Sequence, residues 1–340
     1  MKRELSKGIT LMNMLLCFCV VAIHLTSIPL SQLAPDSFAY ILVFAANKVM
    51  CFSVPAFIFL SGFKLYSGYG NRKMNLGKFY LRRVTKIVIP YVIAVLVFFV
   101  YFYAKKWVVA ASLPEYIFLG TLVAHFYYVV IAVQLYVLFP LIKWLFNKGP
   151  VIVTAVALVC TVCFQEFFPF TYSDRFFGSY IFYFALGMLF AKYKVAEKSN
   201  KLFLTCLPLC FGASLVHLTL SYLSATWRSG YPYANLFNMV YVTLAIMVIY
   251  GVCVMAGEEI AWLDRYARGF GEVSYNVYLY HILIMNVLQY DVFPYYYNLT
   301  VMDRFVISTA VVIGAIFAYD LINRGVRAVI SCMKEKREKI

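Results

Sequence analysis

Four histidines occur in the chain, at positions 24, 125, 217 and 281, and each lies in or beside a long apolar run. An imidazole has an unperturbed pKa near neutrality, so it suits general base chemistry. An ionisable or polar group inside a membrane span is costly, which makes each one a functional candidate. His24 stands in Val20-Val-Ala-Ile-His24-Leu-Thr-Ser27. It falls about 15 residues into the first run, roughly 22 Å from its start along a helix. It reads as a general base, or else as a packing histidine bonded to a neighbour. His281, in Tyr275-Asn-Val-Tyr278-Leu-Tyr-His281, lies near the middle of the ninth run, and His125 opens the fourth in His125-Phe-Tyr-Tyr128. His281 is deep enough to be a functional candidate, His125 falls near the outer surface, and His217 reads as an interfacial histidine. Lys48, in Ala46-Asn47-Lys48-Val49, is too deep to snorkel and needs an anion. That anion is either a substrate group or a protein carboxylate. Asn13 precedes His24 by eleven residues, about three helical turns, so the two share a face about 16 Å apart. Arg82, Arg83 and Lys86 stand just ahead of Pro90-Tyr91. Arg83 and Lys86 share a helix face and suit phosphates, whether of a coenzyme or of lipid headgroups.

The elements that must position these residues follow from composition. The 340 residues are 64% hydrophobic, 19% aromatic and only 13% charged. A soluble domain is about half apolar and a quarter charged. The departure excludes a soluble globular enzyme, a disordered chain and a disulfide-rich secreted module. Apolar runs of about 20 residues predict transmembrane helices. We read ten, near 9–28, 41–66, 84–104, 123–146, 150–168, 176–193, 202–223, 236–256, 273–293 and 304–324. Of the 30 lysines and arginines, 24 fall on one side of this arrangement, five on the other, and Lys48 within a span. The asymmetry predicts an all-α polytopic membrane protein with both termini cytoplasmic. The net charge of +15 is then a topology signal, not a nucleic-acid footprint. The nine cysteines form no disulfide or metal pattern; Cys160-x-x-Cys163 lies inside an apolar run, where cysteine acts as a small apolar residue. Gln134 and Asp320 read as structural. External loops carry aromatics and acids: Glu166 to Asp174, and Asp291 to Asp303 with Tyr295, Tyr296 and Tyr297. They suit an interfacial belt or sugar contact. No soluble domain, inverted repeat or metal-ligand cluster is visible.

The ordered set of motifs resembles the acyltransferase family 3 of integral membrane proteins. It comprises His24, then Phe52-Ser-Val-Pro55-Ala-Phe57-Ile-Phe-Leu-Ser61-Gly62-Phe63, then Phe79-Tyr-Leu-Arg82-Arg83-Val-Thr-Lys86-Ile-Val-Ile-Pro90-Tyr91. His125-Phe-Tyr-Tyr with Gln134-Leu-Tyr136 and Pro140 comes next, followed by Phe182-Tyr-Phe-Ala-Leu-Gly187 and Ser274-Tyr275 to His281. The look is nearest the branch associated with O-succinyl modification of intercellular-adhesin polysaccharide. The resemblance implies one membrane acyltransferase-like domain over 1–340, in a bacterial cell membrane. It implies an O-acyltransferase that moves an acetyl or succinyl group from acyl-coenzyme A to a hydroxyl of a cell-surface polysaccharide. It makes His24 catalytic and places the donor's phosphates on Arg82, Arg83 and Lys86. Asn13, Lys48, His125 and His281 remain as substrate or oxyanion candidates. Coenzyme A enters as a substrate, with no resident cofactor or metal and no nucleic acid. Expected partners are the bilayer, the glycan acceptor and the polysaccharide synthesis machinery. Two positions depart from the family pattern: Asn13 stands where an arginine is common, and Lys86 ends a pair that usually ends in arginine. A transporter or exporter of a polysaccharide or lipid-linked sugar is the alternative reading. It shares the spans and needs no base at His24.

Overall fold

The computed structural model describes residues 3–70, 72–168, 170–195, 199–227, 231, 234–271, 273–296 and 298–338. Lys2, Lys198, Arg228, Tyr297 and Lys339, which enter the charge and loop readings, lie outside them. The described residues form helices and no strand. Eight helical segments are long and apolar enough to cross a membrane: Gly8–Leu30, Phe38–Tyr69, Leu76–Ala104, Ala124–Lys148, Pro150–Phe167, Asn200–Thr226, Ala234–Glu259 and Val301–Val329. The other two expected spans are shorter helices, Ile181–Lys192 and Ser274–Val287. The protein is therefore a multi-pass, all-α membrane protein. A belt of large apolar side chains faces outward, among them Val100, Phe118, Ile152 and Phe211, each more than 60% exposed. Only a lipid surrounding makes such a surface favourable.

Prolines set where the spans bend. A proline lacks the N–H of its turn, and its ring crowds the carbonyl four residues back. Helix α1 is Arg3–Leu30. The second span is α2, Phe38–Val49, then a 3-10 turn over Met50–Phe52, then α3, Ser53–Tyr69. Pro55 stands four residues past the middle of that turn. The third span is α4, Leu76–Arg83, a π turn over Val84–Val88 and α5, Ile89–Ala104. Pro90 displaces the carbonyl of Lys86 within the π turn. Such π turns cluster at functional sites.

The remaining helices are α6 (Leu113–Leu119), α7 (Tyr127–Lys148), α8 (Pro150–Val162), α9 (Ile181–Lys192), α10 (Ser199–Trp227), α11 (Ala234–Glu259), α12 (Ala261–Phe270), α13 (Ser274–Val287) and α14 (Val301–Glu338). Helix α1 is central and packs against α2, α3, α11, α12, α13 and α14. Helices α3 and α9 approach most closely. A Cβ on Gly62 would fall on the Phe184 carbonyl, and one on Gly187 on the Phe59 carbonyl. Between apolar helices in lipid, such small-residue contacts supply the association that hydrophobic burial cannot.

Two structural readings gain their partners. The Gln134 side chain donates to the Arg175 carbonyl at 3.0 Å and accepts from the Phe177 N–H at 2.8 Å, pinning the external loop. The Arg324 guanidinium donates to Asp320 at 2.8 Å and lies over the Tyr266 ring, joining α14 to α12. His217 is buried against its neighbours, stacked on Tyr241 with ring centroids 4.9 Å apart.

Candidate active site

The three histidines at 24, 125 and 281 come from α1, from the 3-10 turn that opens α7, and from α13. Their ring centroids are 5.8 Å apart for His24–His125, 5.2 Å for His24–His281 and 5.0 Å for His125–His281. His125 and His281 are almost wholly buried, and His24 is half-buried. Backbone carbonyls fix their tautomers, because a carbonyl only accepts. His281 Nδ1 faces the Val277 and Tyr278 carbonyls at 3.1 and 2.9 Å, so Nδ1 carries the hydrogen. His125 Nε2 faces the Leu279 carbonyl at 3.1 Å and carries the hydrogen there. The opposite nitrogens, His281 Nε2 and His125 Nδ1, are buried without a hydrogen-bond partner among the described residues. Each therefore holds a bare lone pair beside His24. In the neutral rings these two atoms are acceptors; in a protonated ring they would be donors. No group of three or more His, Cys, Asp or Glu side chains among the described residues could hold a metal ion.

Below the cluster lies a collar of three rings. Phe57 from α3, Tyr128 from α7 and Tyr278 from α13 meet with centroids 5.4–6.4 Å apart. The Tyr278 ring is 5.2 Å from that of His125, and its hydroxyl donates to the His125 carbonyl. Phe57 and Tyr128 also line the top of a cavity of about 270 Å³.

That cavity is basic and opens toward the lysine-rich side. Asn13, Lys64, Arg83, Lys86, Tyr136 and Tyr275 line its lower part. The Arg83 guanidinium is held between the Phe79 and Tyr136 rings, 5.1 Å from each centroid, and its Nε has no partner among the described residues. The Tyr275 hydroxyl donates to the Ile87 carbonyl, in the π turn, at 2.9 Å. That bond ties α13 to the basic motif. Lys64 is one of the 24 lysines and arginines on the charged side. In space its ammonium donates to Asn13 Oδ1 at 3.0 Å, while Asn13 Nδ2 donates to Ser274 at 3.1 Å. Lys64 therefore puts a cation where α1 has a neutral side chain.

Two candidates fall elsewhere. Arg82 is exposed and does not line the cavity. Lys48 lies over the Phe44 ring, 5.5 Å from its centroid, in the neighbourhood of Cys51 and His217 and away from the three-histidine cluster. A second cavity, about 240 Å³, lies toward the opposite side. It is lined by Tyr127, Gln165, Asp174, Tyr180 and Asn238 with Cys51 at its base. Rings and amides of this kind suit a hydroxyl-bearing ligand.

Fold and site together define a multi-pass membrane protein with a buried imidazole cluster set over a basic cavity. The family model described as an acyltransferase domain matches residues 6–321. The chain belongs to that family, the acyltransferase family 3 that its motifs resemble. The family indicates acyl transfer in the membrane, generally to sugars or polymers. No curated protein and no solved structure matches the chain.

Proposed function

We propose that this chain is a single-domain O-acyltransferase of a bacterial cell membrane. It uses acyl-coenzyme A on the lysine-rich, cytoplasmic side and a hydroxyl of a cell-surface polysaccharide on the other. The observation that carries this reading is the pair of bare, buried lone pairs beside His24, set one ring layer above a phosphate-type cavity. Arg83, Lys86 and Lys64 hold the donor's phosphates, with Asn13 orienting Lys64. The donor's flexible arm passes the collar and brings the thioester carbonyl to the histidines.

His24 takes the proton of the acceptor hydroxyl as the oxygen attacks the carbonyl carbon. A carbon–oxygen bond forms and the carbon–sulfur bond breaks. The sulfur leaves as coenzyme A and receives a proton from the cluster. His125 and His281 hold the second lone pairs through which that proton is shared. The polar cavity around Tyr127 and Tyr180 holds neighbouring units of the acceptor. The family's usual arginine eleven residues before the histidine is replaced here in function by Lys64. A lysine meets phosphate as a point charge and does not need the bidentate fork.

The test is coenzyme A release by protein in lipid nanodiscs, with wild type beside His24→Ala and surface glycan added. Wild type is expected to release coenzyme A, and the variant, at equal folded amount, is not. Release that survives in His24→Ala removes His24 from the chemistry. Folded wild type that releases none points to the transporter instead.

A further inference from the structure

The histidine cluster has a third neighbour that the proposed reaction leaves unused. A groove of about 440 Å³ runs between α5, α13 and α14, lined by Ile93, Val277, Ile284, Ala315, Ile316 and, at its inner end, His281. Its lining on α13 (276, 277, 280, 281 and 284) is one continuous helix face. The groove descends from lipid to core. Ile93 and Tyr319 at its rim are 50% and 38% exposed, whereas Ile316 and His281 on its floor are 3% and 1% exposed. The amide at the rim is already occupied, since Asn276 donates to the Tyr319 hydroxyl at 2.7 Å. No lysine or arginine among the described residues lines the groove. Among the described residues, the polar side chain at its floor is His281, and its Nε2 has no partner there.

We infer that this groove receives the hydrocarbon tail of the transferred acyl group, so that the natural donor carries an apolar chain longer than acetyl. The inference rests on the acyltransferase reading and names its acyl class. A thioester carbonyl brought to the histidines from the basic cavity has to place its acyl tail somewhere. The groove is the apolar space that ends on the same imidazole. A succinyl group fits poorly, because its carboxylate would enter a space without a cation. Lys48, the residue that suited such a carboxylate, faces elsewhere.

The test offers acetyl-, butyryl-, hexanoyl-, octanoyl- and succinyl-coenzyme A to the full-length protein in nanodiscs. Burial of each added methylene raises kcat/KM about fourfold until the groove is full. Ala315→Phe, which fills the groove from a half-exposed position, removes that gain and leaves acetyl turnover. Ile322→Phe, on the lipid-exposed part of α14, changes neither. Equal use of acetyl and hexanoyl donors by wild type, preference for succinyl, or loss of all donors alike in Ala315→Phe overturns the inference. Turnover of no donor at all is a failure of the acyltransferase reading. An independent readout covers that case. Octanoyl-coenzyme A with a terminal diazirine is expected to label peptides of α13 and α14 around Val277 and Ile316, and Ala315→Phe is expected to abolish the label. Label confined to other helices refutes the groove, whatever the turnover.

Discussion

Replacing Arg83 with glutamine is expected to weaken use of the coenzyme donor without touching the proton transfer. The guanidinium is already fixed, clamped between Phe79 and Tyr136 at 5.1 Å from each ring. Little side-chain entropy remains to be lost when a phosphate arrives. A hydrogen bond to a charged group contributes about 1.5–3 kcal/mol, which corresponds to about 10- to 150-fold in kcat/KM. Arg83→Lys keeps the charge but loses the planar fork and the ring sandwich, so it falls between. The assay is coenzyme A release against donor concentration, run in parallel with an acyl-pantetheine that carries the same thioester and no nucleotide. Arg83→Gln should impair the coenzyme donor and leave acyl-pantetheine nearly unchanged. If both donors fall by the same factor, Arg83 supports the fold and the phosphate assignment is wrong. If neither falls, the cavity does not bind the donor.

Two further outcomes follow from the packing and the cavity. Gly187→Val pushes a side chain onto the Phe59 carbonyl. It should destabilise the protein by about 1–3 kcal/mol or more, read as a lowered thermal midpoint in detergent. Gly68→Val, where nothing lies within 4 Å of the added carbon, should not. Lys64→Met should lower kcat/KM for the coenzyme donor about tenfold, and adding Asn13→Arg should restore part of it. Full loss without rescue would mean that Lys64 acts through packing and not through its charge.

The fold was largely readable because lipid imposes a simple rule: about 20 apolar residues, then a charged turn. The limits of α1, α7 and α11 follow that rule closely. Helix α9 is shorter because Phe176 to Tyr180 is held as turns by the Gln134 and Thr161 side chains. A window on hydropathy does not see such bonds. Chemistry-bearing residue types were readable one at a time, because a histidine in an apolar run stands out. Their meeting was not. His24, His125 and His281 are brought together by helix contacts more than a hundred residues apart in sequence. Lys64 stayed hidden among the topology charges, since only the antiparallel packing of α1 on α3 brings it to Asn13. Conversely, Lys48 stood out in the sequence but the turn at Met50–Phe52 and the packing of α2 direct it to Phe44 and Cys51.

The ring collar has an electrical consequence. A basic cavity reaches Phe57 and Tyr128 from one side and a polar cavity is lined by the adjacent Tyr127; if both fill with water, the apolar layer between them is thin. A membrane potential then drops steeply over that layer rather than evenly across the bilayer. Moving one elementary charge through the full field involves about 2.3 kcal/mol per 100 mV. If Arg83 and Lys86 anchor the phosphates of coenzyme A, as proposed, that molecule stays on its own side of the rings. On the proposed function, a neutral acyl group carried past the rings would do no electrical work, and turnover is expected to be equal in an energised and a depolarised membrane. An acyl group ending in a carboxylate would make turnover respond to voltage. On that proposal the collar is insulation, letting a chemical group through a membrane without letting the membrane discharge.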